Sequence, residues 1–260
     1  MFGDPEAPPV VCWHGFARTG TDFCALASTL SSDFFCICPD TPGRGKSSWL
    51  PADRYGFNTY HAIAQDLIAE FARGRKVHWV GTSMGGVIGM MLAAHPKTRH
   101  LIDRLVLNDI GPEVPLEAIE RIREYTSEPQ AFASYAEAEA YLRTIYAPFG
   151  TLSEAEWQIL LLHSLRRDSA GRLVQHYDPA ILERFGEPQN RSLAWTMFAS
   201  ITAPMLVIRG TDSDILTADI ADRMVQSALR VERLDVPGVG HAPFLNSAEQ
   251  IHEIQHFLAY

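Results

Sequence analysis

Residues 81–85 read Gly81-Thr82-Ser83-Met84-Gly85, set between the apolar run Val77-His78-Trp79-Val80 and the stretch Gly86-Val87-Ile88-Gly89-Met90-Met91-Leu92-Ala93-Ala94. A serine flanked at two residues' distance by glycines, after a strand-like run and before a helix-like one, predicts a sharp turn that lifts Oγ above the end of a sheet. The serine backbone is strained in such a turn, so its neighbours two residues away must be small to let strand and helix approach. Gly-x-Ser-x-Gly is a weak pattern alone; the strand before it and the helix after it make it informative.

The first part of the chain alternates in the manner of a parallel sheet wrapped by helices. Strands are expected at 9–13, 34–38, 77–80 and 105–107, and helices at 22–30, 59–72 and 87–94. From Gly111-Pro112 to about Ser200 the alternation stops. That stretch reads as helices at 116–125, 135–145, 154–164 and 179–185, without a convincing strand. Strand signals resume at 205–208 and 231–234, and an amphipathic helix is expected at 248–258. The expected organisation is an α/β core from 1–111 and 201–260, with a helical lid at 112–200 inserted into it.

With 260 residues, 47% of them hydrophobic, the chain is long enough for such a core and insertion. A net charge of −9 and no basic stripe argue against nucleic acid or an anionic membrane surface as partners. The start, Met1-Phe2-Gly3-Asp4-Pro5, carries neither a positive cluster nor an apolar h-region, and no later apolar run is long enough to span a bilayer. A cytoplasmic location is expected. Cys36 and Cys38 alternate along one strand, too close for an ordinary disulfide and without zinc-ligand spacing; with Cys12 and Cys24 they read as free thiols.

Ser83 is a poor nucleophile unless a base takes its proton and a third group orients that base. His241, in the loop Gly238-Val239-Gly240-His241-Ala242-Pro243-Phe244 after the last strand signal, is the expected base. A carboxylate on the loop Arg209-Gly210-Thr211-Asp212-Ser213-Asp214 would orient it, and Asp212 and Asp214 compete for that role. Asp109, in Leu107-Asn108-Asp109-Ile110-Gly111-Pro112, is a third candidate, read more readily as a cap where the insertion begins. The amides of Phe16, after His14-Gly15, and of Met84, at the start of the helix after Ser83, suit an oxyanion hole. Gly43-Arg44-Gly45-Lys46-Ser47 superficially resembles a phosphate loop, but Asp40 stands where the first glycine is required, so nucleotide binding is rejected. Arg18 is read as a surface ion pair or, less readily, a contact to a substrate carboxylate. Trp157, His163, Tyr177, Trp195 and Phe198 are candidates for the lid side of the pocket, though aromatics in helices more often serve as core.

Together His14-Gly15-Phe16, Pro39-Asp40-Thr41-Pro42-Gly43-Arg44-Gly45-Lys46-Ser47, Gly81-Thr82-Ser83-Met84-Gly85-Gly86, the 107–112 and 209–216 segments and Gly240-His241 resemble the α/β-hydrolase superfamily, in the branch of lidded esterases, lactonases and carbon–carbon bond hydrolases. The resemblance runs from about Pro8 to the C-terminus and keeps the order nucleophile, acid, histidine. It implies Asp214 as the acid, because Ile215-Leu216 resembles what commonly follows it in related sequences, although the loop is one residue longer than the commonest spacing. It also implies two further strands ahead of the one ending near His14. Only a stub stands there, so the 34–38 strand is expected to be exposed or paired with a second subunit, giving a homodimer. The expected activity is hydrolysis of a small-molecule acyl substrate, an ester or thioester, through an acyl-enzyme on Ser83. Its triad is Ser83, His241 and Asp214, with Phe16 and Met84 at the oxyanion and no metal or organic cofactor. A carbon–carbon bond hydrolase of vinylogous diketones and a low-turnover ligand receptor are the alternatives.

Overall fold

Val10-Val11-Cys12-Trp13, Val77 to Val80 and Leu105-Val106-Leu107 are almost wholly apolar, as strands covered by helices on both faces must be. The computed structural model describes residues 1–126, 130–184 and 191–260. Its main sheet is parallel, in the order β2-β1-β3-β4-β8-β9. These are β1 (Pro9–Trp13), β2 (Phe35–Ile37), β3 (Val77–Thr82), β4 (Ile102–Asn108), β8 (Met205–Gly210) and β9 (Val231–Val236).

Successive side chains leave opposite faces. Val11, Trp13, Trp79, Leu105, Leu107 and Val207 pack with α2 (Phe57–Ala72), α3 (Met84–Ala94) and α8 (Ala218–Ser227). Val10, Cys12, Val80, Val106, Leu206 and Ile208 pack with α1 (Cys24–Leu30) and α9 (Ala248–Ala259) on the other side. The chain runs from β1 outward to β2 and then returns to β3 on the far side of β1. The carboxyl ends of β1 and β3 therefore flank the reversal, where open α/β sheets leave a crevice.

Between β4 and β8 lie α4 (Leu116–Thr126), β5 (Ala131–Phe132), α5 (Tyr135–Tyr146), α6 (Glu154–Ser164), β6 (Leu165–Arg167), β7 (Leu173–Gln175) and α7 (Arg191–Ala199). Ser153 and Glu156 form a reciprocal capping box at the start of α6. The sequence pattern shows no strand here, yet β5, β7 and β6 form an antiparallel sheet. Strands of two or three residues are too short to display an alternation. Their hairpin is set by the Asp168 carboxylate, which accepts from Ala170 and Arg172 N–H at 2.9 Å, and by Gly171 at φ 80°. The segment expected as a helix at 179–185 is a 3-10 helix over Pro179–Arg184, and residue 185 lies outside the described residues. Trp157, Tyr177, Trp195 and Phe198 are buried in hydrophobic clusters rather than displayed on a surface.

β2 stands at the sheet edge, but that edge is not bare. Phe2 exchanges two 2.9 Å backbone hydrogen bonds with Cys36, so the N-terminal residues cover part of it. All four cysteines are free thiols, and among the described residues no helix is long and apolar enough to cross a membrane.

Candidate active site

Ser83 has φ 52° and ψ −115°, a strained conformation for a residue with a side chain. The flanking glycines make it possible. A Cβ on Gly85 would stand 2.0 Å from the Trp13 carbonyl oxygen, and one on Gly81 would stand 2.4 Å from the Gly85 backbone. Trp79 Nε1 donates to the Gly85 carbonyl at 2.9 Å, and Ser83 N–H donates to the Asn108 carbonyl at 3.0 Å. The turn is thus tied to β1, β3 and β4 together.

His241 lies over this serine. Its Nε2 is 2.9 Å from Ser83 Oγ and its Nδ1 is 2.8 Å from Oδ2 of Asp109. Asp109 is fully buried, adopts φ 56° directly after β4, and is held on every side. Gly210 N–H donates to its Oδ1 at 2.9 Å, and the Ser213 hydroxyl donates to its Oδ2 at 2.5 Å.

This corrects the expectation for the acid. Asp214 is 46% exposed and forms a bidentate pair with Arg121 of α4, at 2.5 and 2.7 Å. Asp212 is also exposed, with Thr211 Oγ1 donating to it at 3.1 Å. The 209–216 loop does meet the site, through Gly210 and Ser213, but as donors around a carboxylate from the neighbouring strand. A readable sign for Asp109 was its place one residue beyond a buried strand, in an Asn-Asp pair suited to positive φ, and next in the sheet to the strand that carries the nucleophile.

Asn108 also joins these segments. It is fully buried, and its Nδ2 donates to Thr82 Oγ1 at 3.0 Å and to the Pro243 carbonyl at 2.9 Å. It therefore clasps the residues beside Ser83, Asp109 and His241.

The loop after β1 comes up to the nucleophile: a Cβ on Gly15, the residue before Phe16, would lie 3.7 Å from Ser83 Cβ and 3.8 Å from Arg18 Cγ. Met84 opens α3, where backbone amides are unsatisfied within the helix. His14 is fully buried, and its Nε2 accepts from Thr41 N–H at 2.9 Å. Its Nδ1 therefore carries the proton and donates to the Gly15 carbonyl at 2.7 Å. Burial, reinforced by the nearby Arg44 charge, lowers His14 to about 4. Arg18 is not a surface residue: its side chain is 12% exposed, bidentate to Asp22, and stacked 4.5 Å from the Tyr146 ring centroid. Among the described residues no group of three or more His, Cys, Asp or Glu is arranged to hold a metal ion.

A strained serine at the switch point of a parallel sheet, reached by a histidine that also meets a buried carboxylate, has the layout of a hydrolase nucleophile site. The chain belongs to the alpha/beta hydrolase family, whose model matches residues 10–254, and it is an enzyme of that class. It is 39% identical to a 3-hydroxybutyrate-oligomer hydrolase of Cupriavidus necator, over 96% of this chain and 88% of the relative. A crystal structure of a putative hydrolase from Rickettsia typhi superposes with a TM-score of 0.90 at 30% identity, covering 99% of this chain and 89% of the other. An alpha/beta hydrolase from Novosphingobium aromaticivorans superposes at 0.87 with 34% identity, covering 100% and 92%.

Proposed function

We propose that the protein is a serine esterase that hydrolyses short carboxylic esters, hydroxyacid oligomers among them, through an acyl-enzyme on Ser83. The observation that carries this reading is the unbroken relay from Ser83 Oγ through the His241 ring to Asp109, with contacts of 2.9 and 2.8 Å. In the reaction, His241 takes the Ser83 proton as Oγ attacks the ester carbonyl, and Asp109 supports the imidazolium that forms. The tetrahedral oxyanion is received by the Phe16 and Met84 amides. Collapse expels the alcohol, which takes the proton from His241. Water, deprotonated by His241, then attacks the acyl-enzyme and releases the carboxylic acid, restoring Ser83.

The similarity to a 3-hydroxybutyrate-oligomer hydrolase along nearly the whole chain supports an ester of a small hydroxyacid as substrate. The 112–200 insertion acts as the lid that selects it, since its helix α6 meets the oxyanion loop through Ser164, whose Oγ lies 3.3 Å from Arg18 Nη1. The test is labelling with a fluorophosphonate, together with turnover of p-nitrophenyl butyrate and a 3-hydroxybutyrate dimer. Wild type is expected to label and turn over both, and Ser83→Ala neither. A folded wild type that stays unlabelled overturns the reading. Tight binding without turnover favours a receptor on the same fold, and preference for a vinylogous diketone favours carbon–carbon cleavage.

A further inference from the structure

Arg44 is, among the described residues, the most deeply buried charge outside the Ser83, His241 and Asp109 relay, at 1% exposed, and the sequence pattern assigns it no role. Among the described residues no carboxylate lies within ion-pairing distance of it. Its protons go instead to neutral groups. Nε donates to the Phe16 carbonyl at 2.8 Å, Nη1 to the Pro42 carbonyl at 2.9 Å and the Tyr60 hydroxyl at 2.7 Å, and Nη2 approaches Met84 Sδ at 3.8 Å. The Phe16, Tyr60 and Tyr55 rings surround the guanidinium at 5.1, 5.4 and 6.0 Å. Burial pushes this guanidinium down, which is the mark of a charge held where water would not choose to put it.

Two of the four residues it contacts, Phe16 and Met84, are the two assigned to the oxyanion. We propose that Arg44 is a positioning residue for the oxyanion hole: one buried guanidinium fixes Phe16 through its carbonyl and Met84 through its side chain, and sets a positive charge with no direct ion-pair partner beside both residues. This rests on the acyl-transfer reading above. The Gly15–Phe16 peptide is held on its carbonyl side by His14 Nδ1–H, so Phe16 is clamped at both of its peptides. A fixed charge in a dry site favours the anionic tetrahedral state over the neutral ester, and it needs no reorganisation as the charge develops.

The loop that carries Arg44 is itself bound to the insertion. Gly45 N–H donates to the His176 carbonyl at 3.0 Å, Asp178 N–H to the Gly43 carbonyl at 2.7 Å, and the Tyr55 hydroxyl to Asp178 Oδ2 at 2.7 Å. Seating of the insertion and placement of the oxyanion donors are thus mechanically joined through Arg44.

The test compares wild type with Arg44→Met and Arg44→Lys, each checked for folding by circular dichroism. It reads kcat and KM for p-nitrophenyl butyrate, and Ki for an aryl trifluoromethyl ketone, which adds Ser83 to become an oxyanion, against the matching methyl ketone. Arg44→Met is expected to lose about 10- to 100-fold in kcat, less than removal of a direct donor, with KM within about 3-fold. Its trifluoromethyl ketone Ki should rise in parallel while the methyl ketone is unaffected, and Arg44→Lys should recover part of the loss. A folded Arg44→Met with kcat near wild type, or a lower kcat with unchanged trifluoromethyl ketone affinity, overturns the proposal. Should Arg44→Met not fold, Tyr60→Phe, which removes one Nη1 acceptor, must lower kcat and trifluoromethyl ketone affinity together; no change in either is equally fatal. A wild type that neither labels nor turns over refutes the esterase reading, whereas an active wild type with an indifferent Arg44→Met refutes only the role of Arg44.

Discussion

Two aspartates follow the ends of neighbouring parallel strands, Asp109 after β4 and Asp214 after β8, and they differ in almost every physical respect. Asp109 is fully buried, at positive φ, and accepts from Gly210, Ser213 and His241. Asp214 is 46% exposed and grips Arg121. A buried carboxylate survives only when hydrogen bonds replace its water, and the three donors around Asp109 supply that replacement. An exposed ion pair needs no such shell and contributes little, since solvent screens it. The loop that looked like the acid's own loop is the shell of another acid: Ser213 Oγ also accepts from the Ile215 and Leu216 amides at 3.2 Å, which fixes its proton on Asp109.

The contrast can be broken by mutation, and the largest effect belongs to the buried member. Asp109→Asn keeps the shape but removes the charge that supports His241, and kcat should fall about 10³- to 10⁴-fold in a folded protein. Asn108→Ala severs the clasp among the three segments, and kcat should fall about 10-fold or more, with a lower Tm because the Thr82 and Pro243 acceptors lose their donor. Ser213→Ala removes one of the three donors to Asp109, and a steady-state assay should show a loss of about 3- to 10-fold in kcat. Asp214→Asn should leave kcat within about 2-fold and lower stability by no more than about 1 kcal/mol in denaturant titrations.

A pH experiment sharpens the same distinction between buried and exposed groups. His14 binds a proton with a pKa of about 4 when folded and 6.5 when unfolded. The unfolded chain therefore holds more protons between those values, so His14 lends its full stability above about pH 6.5 and loses it as pH falls towards 4. A depression of that size corresponds to roughly 3 kcal/mol across the window. Denaturant titrations of wild type and His14→Asn should show a shallower pH slope in the variant.

Much of the fold was legible in the sequence because its signals are local. β1 and α6 fall on the expected residues, and the serine turn and His241 follow from glycine spacing and chain order. What the sequence hid is what depends on neighbours in space. Asp109 and Asp214 look alike as letters, and only the pairing of β4 with both β3 and β8 decides which of them is enclosed. Arg44 sits in a glycine-rich run that resembles a phosphate loop, and nothing local says that its guanidinium turns inward to Phe16. The β5-β7-β6 sheet leaves no trace in the sequence because strands so short carry no periodicity, and the cover that Phe2 gives β2 leaves none because it rests on a single residue pair.

If Ser83 is activated by His241 with support from Asp109, its reactivity depends on that buried carboxylate and not on Asp214. The rate of fluorophosphonate labelling of Asp109→Asn, measured beside Asp214→Asn and wild type at neutral pH, tests this dependence most directly. Labelling should slow by about 10³-fold or more in Asp109→Asn and stay unchanged in Asp214→Asn. Near-normal labelling of a folded Asp109→Asn, with Asp214→Asn slow, would contradict it.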